Sequence, residues 1–317
     1  MLALIGTVPK EDFPLVSGTA VLKGGSLSLN GYQISVNRGT PALIAATSMV
    51  CETLGLPRPF SFLVGDIGLG DGSRKLYRHL KSHLPSLGAR IIAFHYLQPD
   101  VDWHNRILWA LEEQGNLPVL IADAGYMYAA KMSGFAASYD LFTPDIGELA
   151  FLADEVAPHP FYTRGFILHE EDNVPGLIKR AFEGGNAAKT LLIKGSKDYI
   201  CTKERVLATV DTPRVETLEP IGGTGDTLTG MVAALTYGGY PVAEAAILAA
   251  RANRLAGALA NPTPATQVVD IVERIPKALE AVLDEAGKVR EQIFPTTCCR
   301  ELPYKRALID TYAKGSC

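Results

Sequence analysis

The sequence has 317 residues, of which 47% are hydrophobic and 20% charged, with a formal net charge of −4. That length suits one large α/β domain or two modest ones around a sizeable core. The mild acidity excludes a binder of nucleic acid or anionic membrane that works by bulk charge. Apolar runs such as Val242 to Ala260 are broken by Glu244, Arg251, Asn253 and Arg254, so none reads as a membrane span. The five cysteines (Cys51, Cys201, Cys298, Cys299 and Cys317) are odd in number, scattered, and fit no zinc spacing. Reduced thiols in a cytoplasmic protein are therefore expected.

The apolar start Met1–Gly6 lacks a basic leader and reads as a first strand. From about residue 60 to 195, short apolar runs alternate with helical stretches. Phe62–Asp66 predicts a strand, and 73–87 a helix with Leu76, Leu80 and Leu84 on one face. Ile91–His95 is a strand, followed by a helix over Trp103–Glu113 that Gly115 closes. Strands are predicted at Pro118–Asp123 and Tyr139–Thr143, and Pro144-Asp145 opens a helix to about Ala153. A helix over Val174–Phe182 ends at Gly184-Gly185, and Thr190–Lys194 is again a strand. This alternation implies a mainly parallel sheet with helices on both faces. Tyr199–Thr202 and Val206–Asp211 then add an antiparallel flank. Helices follow at Leu228–Tyr237, Val242–Leu259 and Ile275–Glu285. A polar tail from 287 closes the chain, so 1–286 is expected to form one catalytic domain.

Ligands of such sheets sit off the carboxyl ends of the strands. Asp66, Asp123, Thr143, Asp145 and Lys194 all fall there, which makes Asp123, Thr143 and Asp145 candidates for substrate binding. The densest signal lies further on, in Gly222-Gly223-Thr224-Gly225-Asp226-Thr227-Leu228-Thr229-Gly230. Glycines allow a close backbone approach, and the helix that follows offers unpaired N–H groups and the positive end of its dipole to an anion. An aspartate beside an anion site makes sense as the acceptor of a proton from a group attacking that anion. Asp226 is thus a candidate base, with Gly222, Gly223, Thr224 and Gly225 holding phosphate; the alternative is that Asp226 only caps the helix. Lys194 would neutralise transferring phosphates or would simply be a solvated turn residue.

The glycine string resembles the signature of the ribokinase-like superfamily, and within it most resembles the ADP/ATP-dependent NAD(P)H-hydrate dehydratases. Thr143-Pro144-Asp145-Ile146-Gly147-Glu148 is similar to that family's Thr-Pro helix start, with Asp145 and Ile146 departing from its His-Pro. Ile193-Lys194-Gly195 is similar to its Lys-Gly strand end. Asp123-Ala124-Gly125 is similar to its acidic strand end, with Gly125 where a second acid would stand. Lys23-Gly24-Gly25-Ser26 and Gly39-Thr40-Pro41 are loosely similar to its N-terminal motifs.

The resemblance implies a three-layer α/β/α ribokinase-like fold and ATP or ADP as phosphoryl donor. It also implies Mg2+ organised by Glu148, which read alone is an ordinary helix-start carboxylate. Asn253 would stand in the adenine wall, or serve packing only. The implied activity is phosphorylation of a substrate hydroxyl followed by loss of phosphate, which repairs a hydrated nicotinamide cofactor. A kinase of a sugar, vitamin precursor or nucleoside is the alternative, and a nucleotide-binding protein without turnover a further one. A small-molecule substrate, a nucleotide and a homo-oligomeric assembly are the expected partners.

Overall fold

Seven consecutive buried residues, Leu2–Val8, form strand β1, and a strand with no exposed face needs neighbours on both edges and cover on both sides. It pairs in parallel with β6 (Phe60–Gly65) on one edge and β7 (Ile91–His95) on the other. The parallel run continues through β8 (Val119–Ala122), β9 (Leu141–Phe142) and β10 (Thr190–Ile193). Antiparallel β11 (Asp198–Thr202) and β12 (Val206–Val210) follow as the expected flank, and β2 (Val16–Thr19) lies beside β6 at the other edge. This computed structural model describes residues 1–160, 163 and 173–293. They divide into two units, the first built from Met1–Gly18 and Phe60–Asp211 and the second from the remaining chain.

In the first unit the strands alternate with α2 (Asp71–His83), α3 (Val101–Glu112), α4 (Ala124–Met132), α5 (Ile146–Ala153) and α6 (Val174–Glu183). On α2 the apolar stripe Leu76, Tyr77 and Leu80 is buried, while Arg74, Lys75, Arg78 and Lys81 face solvent, as a helical period requires. The helix starts two residues earlier than predicted because Asp66 gathers the loop before it. The Asp66 carboxylate accepts from the N–H groups of Gly68, Gly70 and Ser73 and from the Ser73 hydroxyl, at 2.7–3.0 Å. Asp66 is therefore committed to the backbone. Asp100 and Asn173 cap α3 and α6 in the ordinary way.

In the second unit, β3 (Val21–Lys23), β4 (Ser26–Leu29) and β5 (Tyr32–Ser35) form an antiparallel meander. Gly24-Gly25 and Asn30-Gly31 both have positive φ at its two turns, the backbone of tight hairpins. The Lys23-Gly24-Gly25-Ser26 stretch is thus turn chemistry. The helices are α1 (Thr40–Thr53), α7 (Thr224–Tyr237), α8 (Val242–Leu259), α9 (Val268–Val272) and α10 (Ile275–Ile293). Helix α10 runs past Glu285, where a tail was expected, because good helix formers such as Glu, Lys and Arg continue it once Leu279, Val282 and Leu283 are buried. Cys298, Cys299 and Cys317 lie outside the described residues. Cys51 and Cys201 are buried free thiols, pushed up to about 12 by that burial. Among the described residues no helix is long and apolar enough to cross a membrane.

Helices α1 and α7 pack tightly at Gly230. A Cβ there would stand 2.3 Å from the Leu43 carbonyl oxygen, and the Thr47 hydroxyl lies 3.0 Å from the Gly230 carbonyl. Alanine normally stabilises a helix relative to glycine by up to about 1 kcal/mol. Gly230→Ala is expected to reverse that sign and destabilise by about 2 kcal/mol or more, read from the denaturant midpoint.

Candidate active site

At the carboxyl ends of the first unit's strands, Asp123 follows β8 and is 1% exposed. A carboxylate so buried needs a partner. Lys194, at the end of β10, supplies it with Nζ 2.9 Å from both Asp123 oxygens. His95, fully buried at the end of β7, has Nε2 3.7 Å from Asp123 Oδ2. Asp123 Oδ1 also accepts from the Ala124 N–H, so the same carboxylate caps α4. Ala124 follows at φ 48, a left-handed conformation. Gly125 stands where the resembled family carries an acid, and a Cβ there would lie 2.1 Å from the Leu97 carbonyl oxygen. The departure has a steric reason, since α4 is pressed against the chain after β7.

One strand further along, the backbone of Lys194 bridges Asp145, and Lys194 N–H donates to the Pro144 carbonyl at 2.8 Å. Thr143 is fully buried beside them. Asp145 and Glu148 form a reciprocal capping box on α5, with Glu148 N–H donating to Asp145 Oδ1 and Asp145 N–H to Glu148 Oε2. The Tyr128 hydroxyl donates to Glu148 Oε1 at 2.6 Å. Burial pushes the Glu148 carboxyl up to about 7, with Lys194 opposing and the Asp123 and Asp145 charges adding to the rise. Burial and the Glu148 carboxylate both push the Tyr128 hydroxyl up, which keeps it a donor. Ordinary helix-capping chemistry therefore accounts for part of what Asp145 and Glu148 do.

The second unit holds the glycine turn. Gly223, the residue before α7, stands at φ 103, a backbone that favours glycine. Asp226, 8% exposed in the first turn of α7, accepts from Gly39 N–H at 2.5 Å, at the start of α1. The N-terminal Gly39-Thr40-Pro41 stretch turns out to orient the aspartate. From α8, Asn253 Nδ2 donates to the Thr224 carbonyl at 3.0 Å, and its Oδ1 lies 2.8 Å from the Thr227 hydroxyl, so Asn253 braces the start of α7. Arg38 escaped sequence reasoning, as did His95 and Tyr128. It is exposed and, with Pro220, Gly222, Gln267 and Val268, lines a cleft of about 360 Å³ beside the turn. None of the three residues sits in a motif; only the pairing of loops and strands reveals them.

The donors around Glu148 are oxygens, two of them on carboxylates at neighbouring strand ends. Oxygen donors of this kind are those a hard cation such as Mg2+ takes, usually through water.

The fold is ribokinase-like. A phosphofructokinase-2 mutant from Escherichia coli superimposes with a TM-score of 0.54 at 15% identity, over 88% of this chain and 99% of the other. An Escherichia coli protein described as a putative ribokinase II in complex with ATP and Mg2+ gives 0.51 at 14%, over 90% and 99%. Within that fold, the family model for NAD(P)H-hydrate dehydratase matches residues 99–277, more than half of the chain, and the chain belongs to that family. It is 42% identical over 220 residues to an uncharacterized Methanocaldococcus jannaschii protein, covering 69% of this chain and 90% of that one. It is also 34% identical over 123 residues to the bifunctional NAD(P)H-hydrate repair enzyme of Hyperthermus butylicus, over 38% of this chain and only 22% of the relative. Family and fold together indicate an enzyme of the kinase or dehydratase type.

Asp123→Asn and Lys194→Met are each expected to cost about 3 kcal/mol of stability, because each strands a buried charge or donor. The double variant should lose much less than the sum of the two, as a denaturant double-mutant cycle would read.

Proposed function

We propose that the protein is a nucleotide-dependent NAD(P)H-hydrate dehydratase, phosphorylating the hydroxyl of a hydrated nicotinamide ring and then eliminating phosphate. The observation that carries this reading is the buried aspartate of the glycine turn, whose carboxylate is oriented by the Gly39 backbone amide at the start of α1. The family to which the chain belongs supports it.

In this mechanism Asp226 takes the proton of the ring hydroxyl as its oxygen bonds to the terminal phosphorus of ATP or ADP. The bond from that phosphorus to the bridging oxygen breaks, and the shortened nucleotide leaves. The N–H groups of Gly223, Thr224 and Gly225 hold the phosphoryl oxygens, where the helix dipole favours negative charge. Arg38 contacts the donor from the cleft beside the turn. Lys194, held by Asp123, meets negative charge developing on the substrate side, and Asp123 and Thr143 fix the substrate. Glu148 and Asp145 would hold Mg2+ through water, and the ion supplies charge neutralisation to the phosphates. The ring carbon–oxygen bond of the ester then breaks, phosphate departs, and a proton leaves the adjacent ring carbon to restore the double bond.

A small-molecule kinase would use the same parts and stop at the ester. The departures from the family pattern at Asp145 and Ile146 favour that second reading.

With hydrated NADH, Mg2+ and ATP or ADP, the absorbance of intact NADH should return, and it should not without nucleotide. Asp226→Asn is expected to slow this by about 10²–10⁴-fold while nucleotide still raises the melting temperature. Turnover within tenfold of wild type in that variant would remove Asp226 as the base.

A further inference from the structure

Three large apolar side chains stand exposed at the carboxyl end of the first unit's sheet: Ile67 at 51%, Leu69 at 67% and Tyr96 at 51%. Ile67 and Leu69 lie in the loop after β6 and Tyr96 directly after β7, the two strands that flank β1. These loops touch. A Cβ at Gly70 would meet Gln98 Cβ at 3.7 Å, and Gln98 N–H donates to the Ser73 hydroxyl at 3.0 Å.

Tyr96 has φ 52, a conformation that is an outlier for a bulky residue and persists only when its surroundings impose it. The Thr7 hydroxyl donates to the Tyr96 carbonyl at 2.7 Å. The Tyr96 ring stands edge-on to His95, 4.4 Å between centroids and 84° between planes, and His95 in turn faces Asp123. The apolar patch is therefore continuous with the Lys194–Asp123–His95 cluster. Strained backbone recurs at Ala124, on the other side of that cluster. Two residues beyond Tyr96, the exposed Gln98 side-chain amide makes no hydrogen bond among the described residues.

We propose that Tyr96 and Gln98 are the binding and specificity-determining residues of the substrate site, Tyr96 as the platform and Gln98 as the discriminator. The ring of the substrate lies on Tyr96 between Ile67 and Leu69, and the Gln98 amide pairs with a carboxamide on that ring. A part-saturated ring offers C–H groups to an aromatic face. A primary carboxamide matches the glutamine amide with one donor and one acceptor on each side. A sugar also offers C–H groups to an aromatic face, but it has no carboxamide to pair with the glutamine. The ligand class is a carboxamide-bearing nicotinamide ring, and this assignment rests on the dehydratase reading.

Calorimetric titration with hydrated NADH, without phosphoryl donor, tests it separately from turnover. Tyr96→Phe should bind within threefold of wild type, while Tyr96→Gly and Gln98→Leu should each weaken binding at least tenfold. Tyr96→Gly also relieves the positive φ, so its melting temperature should equal or exceed that of wild type. Loss of binding without loss of stability is a result that a merely structural Tyr96 would not give. Binding by Tyr96→Gly within threefold of wild type would overturn the proposal. So would a wild type that does not bind the probe, or a patch that proves to be a contact between two copies, seen as dissociation of an oligomer in the Tyr96→Gly variant. Tyr96-dependent binding with no regeneration of NADH would keep the ring site and sink the reaction. Regeneration with Tyr96-independent binding would do the reverse.

Discussion

Asp123 has almost no exposed surface and carries a charge, and the chemistry of the first unit's strand ends follows from that constraint. Such a carboxylate must be satisfied inside the protein. Asp123 is satisfied three ways: by Lys194 through both oxygens, by the Ala124 N–H, and by proximity to His95. Those contacts draw the ends of β7, β8 and β10 together. The backbone bridge from Lys194 then brings in Asp145 and, through the capping box, Glu148. A lysine fixed in this way is a preorganised positive charge at the strand ends, and in the proposed reaction it faces the substrate.

Steric limits shape the rest as firmly as charge does. Gly125 lets α4 begin against the Leu97 carbonyl, which fixes where Asp123 sits. Gly230 lets α1 and α7 close to contact, and the start of α1 carries the Gly39 amide that orients Asp226. The last residue of the glycine string, Gly230, has a packing explanation. Substrate choice is better sought at the exposed residues that follow β6 and β7.

Much of the fold was legible from periodicity. The alternation of strands and helices between 60 and 195, the antiparallel flank, and α8 over Val242–Leu259 all stand as the sequence implied. The misses were local. The meander at 21–35 went unread although Asn30-Gly31 is a hairpin signal, because its strands have only three or four residues each. The start of α2 was placed late because Asp66, four to seven residues upstream of its partners, organises it through side-chain contacts that no period records. At the candidate site, motif residues were recoverable: Asp226, the glycines, Lys194, Asp123. His95, Tyr128, Arg38 and Tyr96 were not, since each acquires its place through a neighbour far away in sequence. Glu148 and Asp145 show the opposite limit. Their capping box is written in the sequence as surely as any metal role, and spacing alone does not separate the two.

In the proposed reaction, phosphate is transferred to the substrate and then expelled from it. Following a reaction of hydrated NADH with ATP or ADP by phosphorus NMR reads both steps at once. One inorganic phosphate and one intact NADH are expected for each nucleotide shortened, with no phosphate ester persisting at the end. A stable phosphate ester, or nucleotide consumed without NADH formed, would contradict it.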